Sequence, residues 1–345
     1  MKRIFILSSI VLLFACSEQN TEKFSSNKPS YKVTKEEAKL WIKASKLFKP
    51  LPEIKNQDST MMSRIQLGKM LYFDKQLSKN GTISCNSCHN LDTYGVDNKS
   101  TSTGDDGRNG DRNSPTSLNA FLHTTQFWDG RAKDVEEQAK GPILNPIEMG
   151  IPSKEFLLDR LSKVGKYTSA FANSFPNQSK PMTYDNIGTA IGAFERTLIT
   201  PSPFDKYLNN DFEALGDLEK EGLKNFIEIG CATCHNGVAI GGGMFQTFGQ
   251  KYPYWNYTNS KKIDLGLYNI TKEESDKYKF KVPSLRNITK TAPYFHDGSV
   301  ANLTDAVTIM AKIQLDKELS DKELKSILAF LKSLEGEVPA SARKI

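Results

Sequence analysis

Histidine is scarce in this chain, with 4 among 345 residues, and its 5 cysteines are all committed to patterns with their own chemistry. Cys16 closes an N-terminal apolar segment, and the others fall as Cys85, Cys88, Cys231 and Cys234. None is left for a structural disulfide, which excludes a disulfide-stapled scaffold. The apolar run from Ile4 to Phe14 is too short to span a bilayer, and no other segment is a candidate. There is no basic stripe of the kind a nucleic-acid surface needs, and no sustained period-two alternation that would argue for sheets. What remains is a helical globular protein, because 38% hydrophobic and 25% charged residues can build a packed core.

The N-terminus reads as a targeting signal, with Lys2 and Arg3 ahead of the apolar run. Its end, Leu13-Phe14-Ala15-Cys16, resembles a bacterial lipobox, so residues 1–16 are expected to be a lipoprotein signal with Cys16 lipidated. Residues 17–33 are largely Ser, Asn, Lys and Glu and suit a flexible tether. Losing Lys2 and Arg3 reduces the 46 basic residues to 44, against 40 acidic ones.

Two motifs, Cys85-Asn86-Ser87-Cys88-His89 and Cys231-Ala232-Thr233-Cys234-His235, each suggest a covalently bound haem, and the propionates of two haems would bring the charge balance close to zero. Two thiols one helical turn apart can form thioethers with the vinyl groups of one haem, while the adjacent imidazole reaches the iron. A zinc site would need four protein ligands, and a thioredoxin-like site would not repeat with a trailing histidine. The motifs lie 146 residues apart, and each follows an amphipathic segment: Ile65, Leu67, Met70 and Leu71 before the first, Leu218, Leu223, Phe226 and Ile227 before the second. Capping boxes at Thr34 with Glu37 and at Ser320 with Glu323 open further helices. The expected fold is all-α, two cytochrome c-like haem domains with extended loops. The prolines of Thr200-Pro201-Ser202-Pro203 set the boundary, giving 34–199 and 200–345, with the last helix free to pack on either domain.

From about Ala44 to Gly336 the chain resembles bacterial dihaem cytochrome c peroxidases. The resemblance rests on the haem motifs and on Leu47-Phe48-Lys49-Pro50-Leu51-Pro52, Asn113-Ser114-Pro115-Thr116, Gln126-Phe127-Trp128-Asp129-Gly130-Arg131, Asn145-Pro146-Ile147-Glu148-Met149 and Ala292-Pro293-Tyr294-Phe295-His296-Asp297-Gly298. It implies a secreted, periplasmic enzyme that reduces hydrogen peroxide at the N-terminal haem, held by His89. Electrons would arrive from a small cytochrome c or cupredoxin at the C-terminal haem, held by His235. Met310, 75 residues after His235, matches the second axial ligand of that haem, where a thioether raises the potential. Met244 is the other candidate, but its glycine-rich surroundings match no ligand position of the family.

The resemblance also makes Glu148 the catalytic acid/base, moving a proton between the peroxide oxygens. Gln138 matches a distal hydrogen-bond donor and Trp128 the tryptophan between the haems. Asn113, Thr291 and Pro293 match a calcium site, where hard oxygen ligands suit the ion. His296 falls in a matching stretch as either a core or a redox residue; Tyr294 and Arg286 carry no assigned chemistry. A homodimer is the family's common state.

One departure stands out. Many family members carry a histidine one residue after the glycine of Thr101-Ser102-Thr103-Gly104, where it caps the peroxidatic iron until the other haem is reduced; here that position is Asp105. The expected consequence is an open site in the oxidised protein, with His123 as the one histidine that could substitute. Two rival functions stay in view: a protein-oxidising maturase like that of methylamine dehydrogenase, which has tyrosine in place of Met310, and a plain electron shuttle, against which Glu148 and Gln138 speak.

Overall fold

The computed structural model describes residues 31–54 and 57–343. The signal segment, Cys16 and residues 17–30 of the tether lie outside them. Thr34 Oγ1 accepts from the Glu37 N–H at 3.2 Å and Glu37 Oε2 from the Thr34 N–H at 3.0 Å, forming the expected capping box of α1 (Lys35–Leu47). Next come α2 (Ser59–Phe73), α3 (Cys85–Cys88), α4 (Val135–Leu144), α5 (Lys154–Ser162), α6 (Gly165–Ser174) and α7 (Tyr184–Glu195). The chain continues through α8 (Pro203–Leu208), α9 (Asp217–Ile229), α10 (Tyr268–Thr271), α11 (Leu303–Leu315), α12 (Asp321–Lys332) and α13 (Ala340–Arg343). The fold is mostly helical; β1 (Phe245–Thr247) and β2 (Lys279–Lys281) make one short antiparallel pair.

Two main clusters of buried side chains organise the compact unit that begins at Val33. The first gathers Leu71, Tyr72, Ile143, Phe171 and Ile187; the second gathers Phe204, Leu223, Phe226, Ile327 and Phe330. Each large apolar side chain removed from water contributes roughly 1.5–3 kcal/mol. The chain ends cross over: Ala44 and Phe48 from α1 and the residue after it join the second cluster, whereas Val338 and Ala342 join the first. Of the late helices, α12 packs on α9, and its Ser320–Glu323 capping box is present.

Both clusters are built by the same device. A Cβ on Gly68 of α2 would lie 1.8 Å from the Ala190 carbonyl oxygen of α7, and one on Gly222 of α9 would lie 1.9 Å from the Ser326 oxygen of α12. Glycine alone permits helices to cross this closely. Four residues on, Tyr72 meets Phe194 and Phe226 meets Phe330, with ring centroids 5.3 and 5.2 Å apart.

The Thr200–Pro203 stretch is buried at its start. Thr200 is fully enclosed, its hydroxyl accepting from Asn119 Nδ2 and Asn287 Nδ2, both at 2.8 Å. Arg286, also fully buried, pairs with Asp205 at 2.9 Å through both terminal nitrogens, tying the loop before α11 to α8. Among the described residues no helix is long and apolar enough to cross a membrane.

Candidate functional site

The two cysteine motifs open onto separate cavities. Cys85 and Cys88 begin and end α3, and the His89 N–H donates to the Cys85 carbonyl at 2.9 Å, so thiols and imidazole face one space. That cavity, of about 1020 Å³, is also lined by Gln138, Glu148, Trp128 and Arg131. His89 Nδ1 lies 3.0 Å from the Pro115 carbonyl oxygen, which selects the tautomer protonated there and leaves Nε2 as the ligating atom. Tyr72 reinforces the arrangement by donating to the His89 carbonyl at 2.6 Å.

Cys231, Cys234, His235 and Met310 line the second cavity, of about 230 Å³, with Met310 supplied by α11. Met244 is 39% exposed and does not line it, which leaves Met310 as the thioether facing His235. Burial lowers His235 to about 4, against the carbonyls of Ile240 and Pro283, and lowers His89 against that of Pro115. Both imidazoles are therefore kept neutral, as ligation requires.

The thiols fit haem attachment better than redox chemistry. All four described cysteines are free, and burial pushes Cys85 up to about 12 and Cys231 up to about 11, the reverse of a reactive thiolate. No group of three or more His, Cys, Asp or Glu side chains among the described residues could hold a metal ion by itself. In each cavity the two thiols and the neighbouring imidazole would hold a covalent haem.

Trp128 lines both cavities, as do Asn113 and His296, so these residues form a shared wall. The wall is braced: Trp128 Nε1 donates to the Asn113 carbonyl at 2.9 Å, and the Asn113 N–H to that of His296 at 2.7 Å. His296 is 2% exposed, stacks on Phe280 with centroids 4.4 Å apart and meets Tyr254 edge-on at 5.2 Å. Thr291 and Pro293, two of the three residues expected at a calcium ion, line the second cavity, as does Asn113.

Glu148 sits on the turn after α4, its carboxylate accepting from Asn145 Nδ2 at 2.7 Å. Burial raises its pKa, with the Arg131 guanidinium and the Asn145 bond pulling the other way. Gln138 reaches the same cavity from α4.

Two expected residues are placed elsewhere. His123 does not line the first cavity; it faces the second, with Lys281 Nζ 2.9 Å from its Nδ1. Asp105 lines neither cavity, its carboxylate being taken up by the turn at residues 78–82. The buried Lys281, lowered to about 8 by desolvation, and Glu195 at the end of α7, raised to about 8 by burial and Glu136, were not legible in the sequence. Asn145 and Arg131 lie inside motifs quoted above, so their place beside Glu148 could have been read from those motifs.

Comparison with known proteins points the same way. The family model described as di-haem cytochrome c peroxidase matches residues 62–213. The chain is 46% identical over 306 residues to the cytochrome c551 peroxidase of Pseudomonas aeruginosa, covering 87% of each. It is 46% identical over 291 residues to that of Nitrosomonas europaea, covering 84% of this chain and 85% of the other. Among solved structures, a MauG-like protein associated with microbial copper homeostasis matches with a TM-score of 0.71 at 30% identity, over 86% of this chain and 96% of that one.

Proposed function

The chain belongs to the di-haem cytochrome c peroxidase family, and we propose that it reduces hydrogen peroxide to water at the first cavity with electrons received at the second. The observation that carries this reading is that Glu148 and Gln138 converge on the cavity of His89, while Trp128 stands in the wall between that cavity and the one holding His235 and Met310. Haem bound in each cavity supplies iron that changes oxidation state. The chain's own residues do the rest. Glu148 removes a proton from one peroxide oxygen and delivers it to the departing one, as a half-buried carboxylate with a raised pKa is suited to do. Gln138 orients the peroxide by hydrogen bonding, and Trp128 shortens the electron path.

The finer assignments follow the same reading. Residues 34–199 supply most of the peroxidatic domain and 200–345 most of the electron-accepting one, with Ala44 and Phe48 packing into the second and Val338 and Ala342 into the first; Met310 is the second axial ligand in the electron-accepting domain. A calcium ion is held by Asn113, Thr291 and Pro293. The donor is a small cytochrome c or cupredoxin of the periplasm, the enzyme is a homodimer, and Cys16 carries the lipid that holds it to a membrane.

Because His123 is on the other cavity, His296 is packed among aromatic rings and the Asp105 carboxylate is occupied by the 78–82 turn, the first site is open to peroxide in the fully ferric protein. Steady-state peroxide turnover with a reduced small cytochrome c tests the function, and no turnover would end it. A stopped-flow trace on ferric protein tests the open site: one high-spin haem and prompt reaction are expected. Two low-spin haems that react only after one-electron reduction would overturn that part alone.

A further inference from the structure

We propose that Asp105 is a positioning residue that holds the Glu148 turn at the rim of the first cavity, an inference that rests on the role given to Glu148 above. Three segments meet at Asp105: the 78–82 turn that leads into Cys85, its own loop, and the turn carrying Glu148. The Asp105 carboxylate accepts from Ser78 Oγ at 2.8 Å, from Thr82 Oγ1 at 2.5 Å, and from the N–H groups of Asn80 and Thr82 at 2.5 and 3.2 Å. Hydrogen bonds to an ionised acceptor are the stronger kind, and here four converge on one side chain. On its other side the Asp105 N–H donates to the Glu148 carbonyl at 2.8 Å. One residue thus spans from the haem-attachment segment to the backbone of the acid/base.

The surrounding contacts leave the Glu148 turn little freedom. Gly104 lies directly on it, since a Cβ there would be 1.8 Å from the Ile147 oxygen. Arg108 Nη2 donates to the Pro146 carbonyl at 2.8 Å, and the Lys79 N–H donates to that of Met149 at 2.8 Å. Partial burial raises the Asp105 pKa, but the bonds from Thr82, Asn80 and Ser78 prevail and hold it below the usual aspartate range, so the clamp is charged throughout the working range. The Asp105 side chain lines neither cavity, so its effect on the reaction is indirect, and the Glu148→Gln background separates a route through Glu148 from one through the 78–82 turn that leads into Cys85.

The test uses the holoenzyme, comparing Asp105→Ala, Glu148→Gln and the double variant by peroxide turnover and by hydrogen exchange of the peptide spanning residues 145–150. Displacing a reacting group by about 1 Å costs on the order of 100-fold; a loss of roughly 10–100-fold in kcat with faster exchange at 145–150 is expected for Asp105→Ala. In the Glu148→Gln background the same substitution should cost little more, because the group it positions is already gone. Equal fold-losses in both backgrounds, or unchanged exchange, would overturn the proposal. Full turnover in Glu148→Gln alone would instead remove the role of Glu148, and this inference with it. If Asp105→Ala does not fold, Thr82→Val, which removes one donor, should show the same pattern in smaller measure.

Discussion

The α2–α7 and α9–α12 pairs are close copies in their mechanics and their cavities are not. In each pair a glycine lets one helix touch the backbone of the other, an aromatic residue four positions later packs on a phenylalanine of the partner, and a Cys-x-x-Cys-His motif follows. Yet the first cavity, of about 1020 Å³, is lined by Glu148, Gln138 and Arg131, whereas the second, of about 230 Å³, is lined by Met310. The difference comes from the segments between the helices. Residues 100–150 bring Glu148, Gln138 and Arg131 to the first cavity, and α11 brings Met310 to the second. Repeated scaffolding frames each Cys-x-x-Cys-His motif, and the connecting segments set what lines its cavity.

The sharpest way to break that division is Glu148→Gln, which should leave both haems in place and cut peroxide turnover by about two to four orders of magnitude. Near-normal turnover would deny the first cavity its special chemistry. The same carboxylate sets a pH limb: it must be ionised to accept a proton, and burial raises its pKa, so activity should be lost on acidification at a pH above the ordinary glutamate value. Replacing Arg131 by Ala removes a charge that lowers that pKa and should move the limb further up; an unmoved limb would mean another group sets it.

Met310→His tests the other half. Imidazole favours ferric iron more than thioether does, so the second haem's potential should fall by a sizeable part of the roughly 0.8 V that axial ligation spans, while peroxide binding at the first site survives. An unchanged potential would take Met310 off the iron.

The smallest expected effects probe the shared scaffold. Gly68→Ala and Gly222→Ala each force a methyl group against a backbone oxygen, and overpacking of this kind costs roughly 1–3 kcal/mol. Thermal unfolding of the holoproteins should show comparable losses of a few degrees. A loss in one variant without the other would show that the two helix pairs are not mechanically equivalent.

Much of this was legible without coordinates, for a physical reason in each instance. The haem motifs are local, because one helical turn places both thiols and the imidazole. The capping boxes at Thr34 and Ser320 are local as well, each satisfied within four residues. The Thr200–Pro203 break was visible too, but not that Thr200 would be buried beneath Asn119 and Asn287, which come from 81 and 87 residues away.

What only the tertiary structure decided depends on contacts between distant segments. The pairing of Gly68 with Ala190 and of Gly222 with Ser326 leaves no periodicity to read, since a single small residue on each helix suffices. Nor could the sequence place His123 beside Lys281 on the second cavity rather than at the first, because the two are 158 residues apart. Asp105 was recognisable by itself only as a residue that is not histidine. Its part in holding the Glu148 turn emerged when residues 78–82, 104–108 and 145–149 were brought together, because four donors on one segment and a carbonyl on another define that role, and chain order carries no information about either.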